Sequence, residues 1–132
     1  MSGETNLDAL INSMSAVLVD GVFVFVTLKG REIPKGIVPQ MVFQEVEGTT
    51  LIMQRSEALA LGQPYEFPCR MITLNIHSSL EAVGFMARIA TALAKSEMGV
   101  NPVSGFFHDH LFVPDGREAE ALQVLRSMAQ AE

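Results

Sequence analysis

Three histidines carry the most versatile side chains in the sequence, and two of them, His108 and His110, stand two positions apart with Asp109 between them. On a strand that spacing puts both imidazoles on one face. A ferredoxin-like order of elements would set this strand antiparallel beside the one that ends at His77, so three imidazoles could converge. The chemistry open to such a group is metal ligation or proton transfer. The spacing matches no metal motif, and the ordinary role of such histidines is to bond to backbone or to line the edge of a pocket, for which His77 is best placed. No metal and no cofactor are expected.

A second candidate is an anion site. Ser78 with Glu81 has the form of a capping box, and the apolar residues Val83, Met86, Ile89, Ala90 and Leu93 that follow repeat at helical spacing. The amides that open a helix lack intrahelical acceptors, and the helix dipole favours a carboxylate there. Gly84 would then sit one turn in, where the missing side chain lets a ligand or the sheet come close. Cys69 lies between Pro68 and Arg70. A cationic neighbour can lower a thiol pKa, but no histidine adjoins it to act as a base, and it reads as a buried, inert thiol.

No glycine-rich dinucleotide or phosphate loop, zinc-protease helix, paired-cysteine motif or serine nucleophile elbow occurs, and the acidic residues are dispersed over turns and helix faces. Binding is favoured over catalysis, and the chain is expected not to be an enzyme. Nine Lys and Arg against 15 Asp and Glu give a formal charge of -6 without a basic run, which makes nucleic acid a poor partner. A single cysteine allows no intrachain disulfide and suits a reducing compartment. The N-terminus has no signal-peptide pattern, and the longest apolar run, Val22 to Val26, is far short of the ~20 residues that span a bilayer. The expected location is cytoplasmic, away from membranes.

The elements that must position these residues follow from periodicity. Thr5 with Asp8 caps a short helix carrying Leu7, Leu10, Ile11 and Met14. Residues 16 to 19 and 22 to 28 are predicted as a hairpin turning at Asp20-Gly21, and residues 29 to 40, with two prolines and two glycines, as a loop. A second hairpin spans 41 to 46 and 49 to 54 with its turn at Glu47-Gly48. A helix then runs from Ser56 to about Gly62, and Pro64 to Pro68 reads as a connector. From Arg70 the order is strand, helix, strand, strand, helix, with Ile72, Leu74 and Ile76 on one face of the first strand and Gly99 ending its helix. The last helix is capped by Asp115 with Glu118. That order is a ferredoxin-like unit short of its closing strand, and the segment 15 to 19 is the available donor.

The stretch Arg70-Met-Ile-Thr-Leu-Asn-Ile-His-Ser-Ser-Leu-Glu-Ala-Val-Gly84, with Gly99-Val-Asn-Pro-Val-Ser104 and His110-Leu-Phe-Val113, resembles the ACT domain as found in the regulatory region of aspartate kinases. It is similar above all to small stand-alone tandem ACT proteins, and then Tyr65 to Arg70 joins the resemblance. The resemblance implies an α+β fold of two βαββαβ units with antiparallel sheets, helices on one face and strand exchange between the halves. The division expected is a degenerate unit over 1–66 and a second unit over 67–132. The resemblance also implies a regulatory, non-catalytic protein that forms a homodimer. It would bind a small molecule, an amino acid by preference, where the loop between first strand and first helix meets a neighbouring unit. Carried over residue by residue, that loop is His77, Ser78, Ser79, Leu80, Glu81, Ala82, Val83 and Gly84, and the start of the next strand supplies Asn101, Pro102 and Val103. Unlike the family's larger members, the chain is not expected to carry an attached catalytic domain. Two other readings stay open: a structural module joining a partner through an open sheet face with Thr73 and Asn75 or through an edge strand, and a small enzyme built on the three histidines.

Overall fold

A computed structural model describes residues 6–76 and 82–130, and the chain divides into two units. The first gathers residues up to Asp20 with those from Arg70 onward; the second is Gly21–Cys69.

In the first unit, α1 (Leu7–Ser13) is capped by Asn6, whose Oδ1 accepts from the Ala9 amide at 2.9 Å. Thr5, the cap expected from sequence, lies outside the described residues. Leu10, Ile11 and Met14 are buried in the unit's core with Ile72, Leu74, Ile89, Leu93, Leu111 and Leu125. Strand β1 (Ala16–Leu18) follows, and the chain then leaves the unit.

The second unit begins with β2 (Phe23–Leu28) and continues, after a stretch without helix or strand, into β3 (Met41–Gln44), β4 (Thr49–Gln54) and α2 (Arg55–Leu61). The β3–β4 hairpin has the expected strands, but its two-residue loop is Val46-Glu47. The Glu45 and Gly48 amides and carbonyls exchange bonds of 2.9 and 3.3 Å. Gly48 is required by a close approach: a Cβ there would lie 2.4 Å from the Leu28 carbonyl oxygen. Gly62, at φ 66°, ends α2 in the left-handed conformation that glycine adopts without strain. The core is Val24, Val26, Leu51 and Met53 on the strands under Ala58 of α2, with Ile37 of the irregular stretch packed against it.

Strand β5 (Glu66–Leu74) serves both units. The expected connector Pro64 to Pro68 is therefore strand from Glu66 onward. Its proline is tolerated because the β2–β5 register slips between Phe23↔Cys69 and Phe25↔Glu66, and Phe67 takes φ 56° at that irregularity. In the second unit the strand order is β3-β4-β2-β5.

The first unit continues with α3 (Phe85–Ala94), β6 (Asn101–Ser104), β7 (Asp109–Pro114) and α4 (Glu118–Gln130). Its sheet order is β1-β5-β7-β6, with β1 pairing antiparallel to β5 through Ala16↔Leu74, Val17↔Thr73 and Leu18↔Ile72. The segment read as donor thus supplies the fourth strand. The predicted hairpin between β1 and β2 does not form: β1 pairs with residues 72–74, while β2 pairs with β4 and with the start of β5. The Asp20-Gly21 turn signal is local, with Gly21 at φ 106°, and it loses to two longer-range pairings that give each strand a core to cover.

Two ends of α3 differ from expectation. The helix starts at Phe85, five residues beyond Leu80, because Gly84 is its N-cap at φ 88°, and Val83 lies outside the helix with 86% exposure. Gly84 is therefore the boundary of the helix and does not sit one turn inside it. The helix ends through a turn in which Glu97, at φ 57°, takes the position expected of Gly99. Lys95 is the C-cap, and Arg117 joins it at that end, donating to the Ser96 and Glu97 carbonyls at 2.8 and 3.2 Å and to Glu120.

Candidate ligand-binding site

The loop that leaves β5 and enters α3 was the first part of the expected site. His77, Ser78, Ser79, Leu80 and Glu81 lie outside the described residues. Ala82 packs on the core, Val83 is exposed, and Gly84 turns the backbone into α3. Phe85, 2% exposed, anchors the first turn in the core. No side chain caps the helix among the described residues, and its first intrahelical bond runs from the Arg88 amide to the Gly84 carbonyl at 3.0 Å. The amides of Phe85, Met86 and Ala87 thus precede any intrahelical acceptor. Beside Gly84 a surface groove of about 480 Å³ runs along α3, with Leu7 and Ile11 of α1 on one side and Arg88, Thr91 and Lys95 along the helix. Residues 84, 88, 91 and 95 share a helix face, so two cations border an apolar floor.

The second part, Asn101, Pro102 and Val103, lies on β6, the outer strand of the unit, paired with Phe112, Leu111 and His110. Asn101 and Pro102 are exposed and Val103 is half-buried. Strand β7 stands between β6 and β5. One copy therefore does not place residues 101–103 on a strand next to β5.

The histidine pair is half-buried on β7 and its approach. His110 Nδ1 is 3.0 Å from Thr73 Oγ1 on β5. Burial and the neighbouring His108 hold the His110 pKa below its ordinary value, against an opposing effect of Asp109. Asp109 itself is 7% exposed and accepts from Ser104 Oγ at 2.6 Å. Alternation along the strand turns it to the face opposite His110. Among the described residues no group of three His, Cys, Asp or Glu side chains stands together as a metal site, and His77 lies outside them. Cys69 is fully buried, with its thiol 3.3 Å from the Phe23 carbonyl oxygen that accepts from it. Arg70 instead pairs with Glu118 at 2.9 Å.

Sequence reasoning did not single out the apolar residues left at the surface. Phe106 and Phe107 occupy the tip of the β6–β7 hairpin, 64% and 62% exposed, with ring centroids 5.0 Å apart in an edge-to-face contact. On the β3–β4 hairpin, Val42, Phe43 and Val46 are exposed. The signal available was an apolar pair at a hairpin tip, where turn residues are ordinarily polar.

Each unit sets its strands in the order second, third, first, fourth, the antiparallel arrangement of the ferredoxin-like class. The chain belongs to the ACT-domain family: one ACT-domain model matches residues 2–70 and another matches residues 66–127. A protein of unknown function from Vibrio cholerae, described as a possible transport protein, is 37% identical over 94% of this chain and 96% of its own, with a TM-score of 0.84. The Agrobacterium tumefaciens protein Atu0741 shares the fold at 13% identity, covering 88% of this chain and 89% of its own, with a TM-score of 0.70. The regulatory subunit of aspartate kinase from Thermus thermophilus does so at 10% identity, covering 88% and 97%, with a TM-score of 0.67. No curated protein sequence matches the chain.

Proposed function

We propose that this protein is a non-catalytic regulatory module that binds a small anionic metabolite, an amino acid by preference, and acts as a homodimer in the cytoplasm. The observation that carries the reading is Gly84: in a chain made of two ACT domains, it opens α3 with no side-chain cap among the described residues, beside a groove bordered by Arg88 and Lys95. Helix amides and two cations complement a carboxylate, and the apolar floor takes a hydrocarbon side chain. The site comprises His77 to Gly84 of one copy with Asn101 to Val103 of another. That division agrees with the strand that separates the two parts within a single copy. The halves proposed as evolutionary units are 1–66 and 67–132. Among the described residues no helix is long and apolar enough to cross a membrane.

Thermal-shift and calorimetric titration against the common amino acids tests the reading. A ligand at 100 times its dissociation constant adds about 2.7 kcal/mol of stability. The expected result is one such ligand, with its effect lost in Arg88→Glu; a blank across the panel overturns the proposal.

A further inference from the structure

Cations are the minority charge in this chain, nine Lys and Arg against 15 Asp and Glu, yet two of them, Arg88 and Lys95, border one groove. Both are exposed on α3. Among the described residues neither side chain is engaged in a hydrogen bond or an ion pair, whereas Arg70 and Arg117 of the same unit are each paired with a glutamate. Leu7 and Ile11 of α1 form the facing wall, Ala92 belongs to the floor, and no described lining residue is acidic. The groove is therefore locally positive on a chain of net charge -6, and its middle is apolar.

The spacing of the two cations sets what can bridge them. Seven residues at a rise of about 1.5 Å each put Lys95 about 10 Å along the axis from Arg88, and two turns bring it back to within about 20° of the same direction. Thr91 lies between them on that face and is small enough to leave the groove continuous. A single carboxylate fills the Arg88 end, next to the amides that open α3, and leaves Lys95 to water. An ammonium group meets no acidic partner among the described lining residues.

We infer that the ligand of this groove is an extended dicarboxylate, with one carboxylate at Arg88 and the opening of α3, the other at Lys95, and its hydrocarbon middle on Leu7 and Ile11. This rests on the anion-binding reading above and names the class of anion. At about 1.2 Å per bond of an extended chain, a gap of about 10 Å takes about eight bonds, so succinate and glutamate reach only one of the two cations. The second contact is an exposed ion pair, which contributes about three- to fivefold in affinity and is screened by salt.

Calorimetric titration of the full chain with suberate, octanoate and succinate tests the assignment. Suberate and octanoate have chains of equal length and differ in the second carboxylate. Suberate is expected to bind about three- to fivefold more tightly than either of the others, with the gap narrowing at high salt. Lys95→Gln is expected to cancel the advantage over octanoate while leaving octanoate itself unchanged, Lys95→Arg to keep it, and Arg88→Gln to weaken both. Circular dichroism of each variant is expected to match wild type, since both positions are exposed. Equal binding of suberate and octanoate, or an advantage that survives Lys95→Gln, overturns the dicarboxylate assignment and keeps the anion-binding reading. A response to a common amino acid with none to suberate does the same. A blank with all three probes and with the amino acids overturns both.

Discussion

The first twenty residues are expected to be indispensable to the half of the chain that lies farthest from them in sequence. Leu10 is fully buried and Ile11 and Met14 are each 5% exposed, all within the core formed by α3, α4 and the strands after Arg70. Strand β1 adds the backbone bonds from Val19 to the Met71 carbonyl at 2.9 Å and from Asn75 to the Ser15 carbonyl at 2.6 Å. Leu10→Ala leaves a cavity at a site with no solvent access, for which the cost is about 2–5 kcal/mol. Deleting residues 1–19 removes three buried apolar side chains at about 1.5–3 kcal/mol each, some 5–9 kcal/mol in total. A domain of ordinary stability has about 5–15 kcal/mol to lose. Urea denaturation followed by circular dichroism is the assay: Leu10→Ala shifts the midpoint with the slope retained, and the truncated chain loses its cooperative transition. A truncated chain that melts like the full one, or a Leu10→Ala variant within about 0.5 kcal/mol of wild type, would refute the placement of α1 and β1 in that core.

Four further outcomes are expected. Gly48→Ala drives a methyl into the Leu28 carbonyl and should cost more than about 2 kcal/mol in a denaturant titration. Gly84→Ala meets, among the described residues, Leu7 Cδ2 at 3.7 Å, an ordinary contact, so its expected cost is about 1–2 kcal/mol for the left-handed backbone. The Glu118 carboxyl is held below its ordinary 4.5 by its own amide, by Gly116 and by Arg70, against the opposing effect of burial. A depressed carboxylate stabilises the fold above the unfolded-state value and ceases to do so as pH falls through the folded one, so acid titration of wild type should show a loss beginning below about pH 4.5 that Glu118→Gln lacks. His110 is depressed for a histidine, so the folded state disfavours its proton: no penalty exists above about pH 6.5, and one grows as pH falls through that value. Denaturation midpoints at pH 7.5 and 5.5 should differ more in wild type than in His110→Asn, and equal differences would count against this account.

The elements set by short-range chemistry could be read from the residues in order. Alternation in Ile72, Leu74 and the β4 strand and Gly62 after a short helix each depend on neighbours within a few positions. Even the missing fourth strand was legible, because counting strands in a βαββα order exposes a vacancy. That β1 and β2 would not pair with each other was not. A hairpin signal at Asp20-Gly21 reports the ease of a turn, whereas the winning arrangement depends on burying apolar faces against residues fifty positions away. The opening of α3 is a related case: the helix begins where Phe85 finds a core to enter and Gly84 supplies the turn that lets it, while Ser78 and Glu81 lie outside the described residues. Residue types by themselves thus determined the family, most of the strands and the absence of a catalytic motif. Only the tertiary structure decided that β1 and β2 part company, since each is held by an apolar face buried against strands distant in sequence.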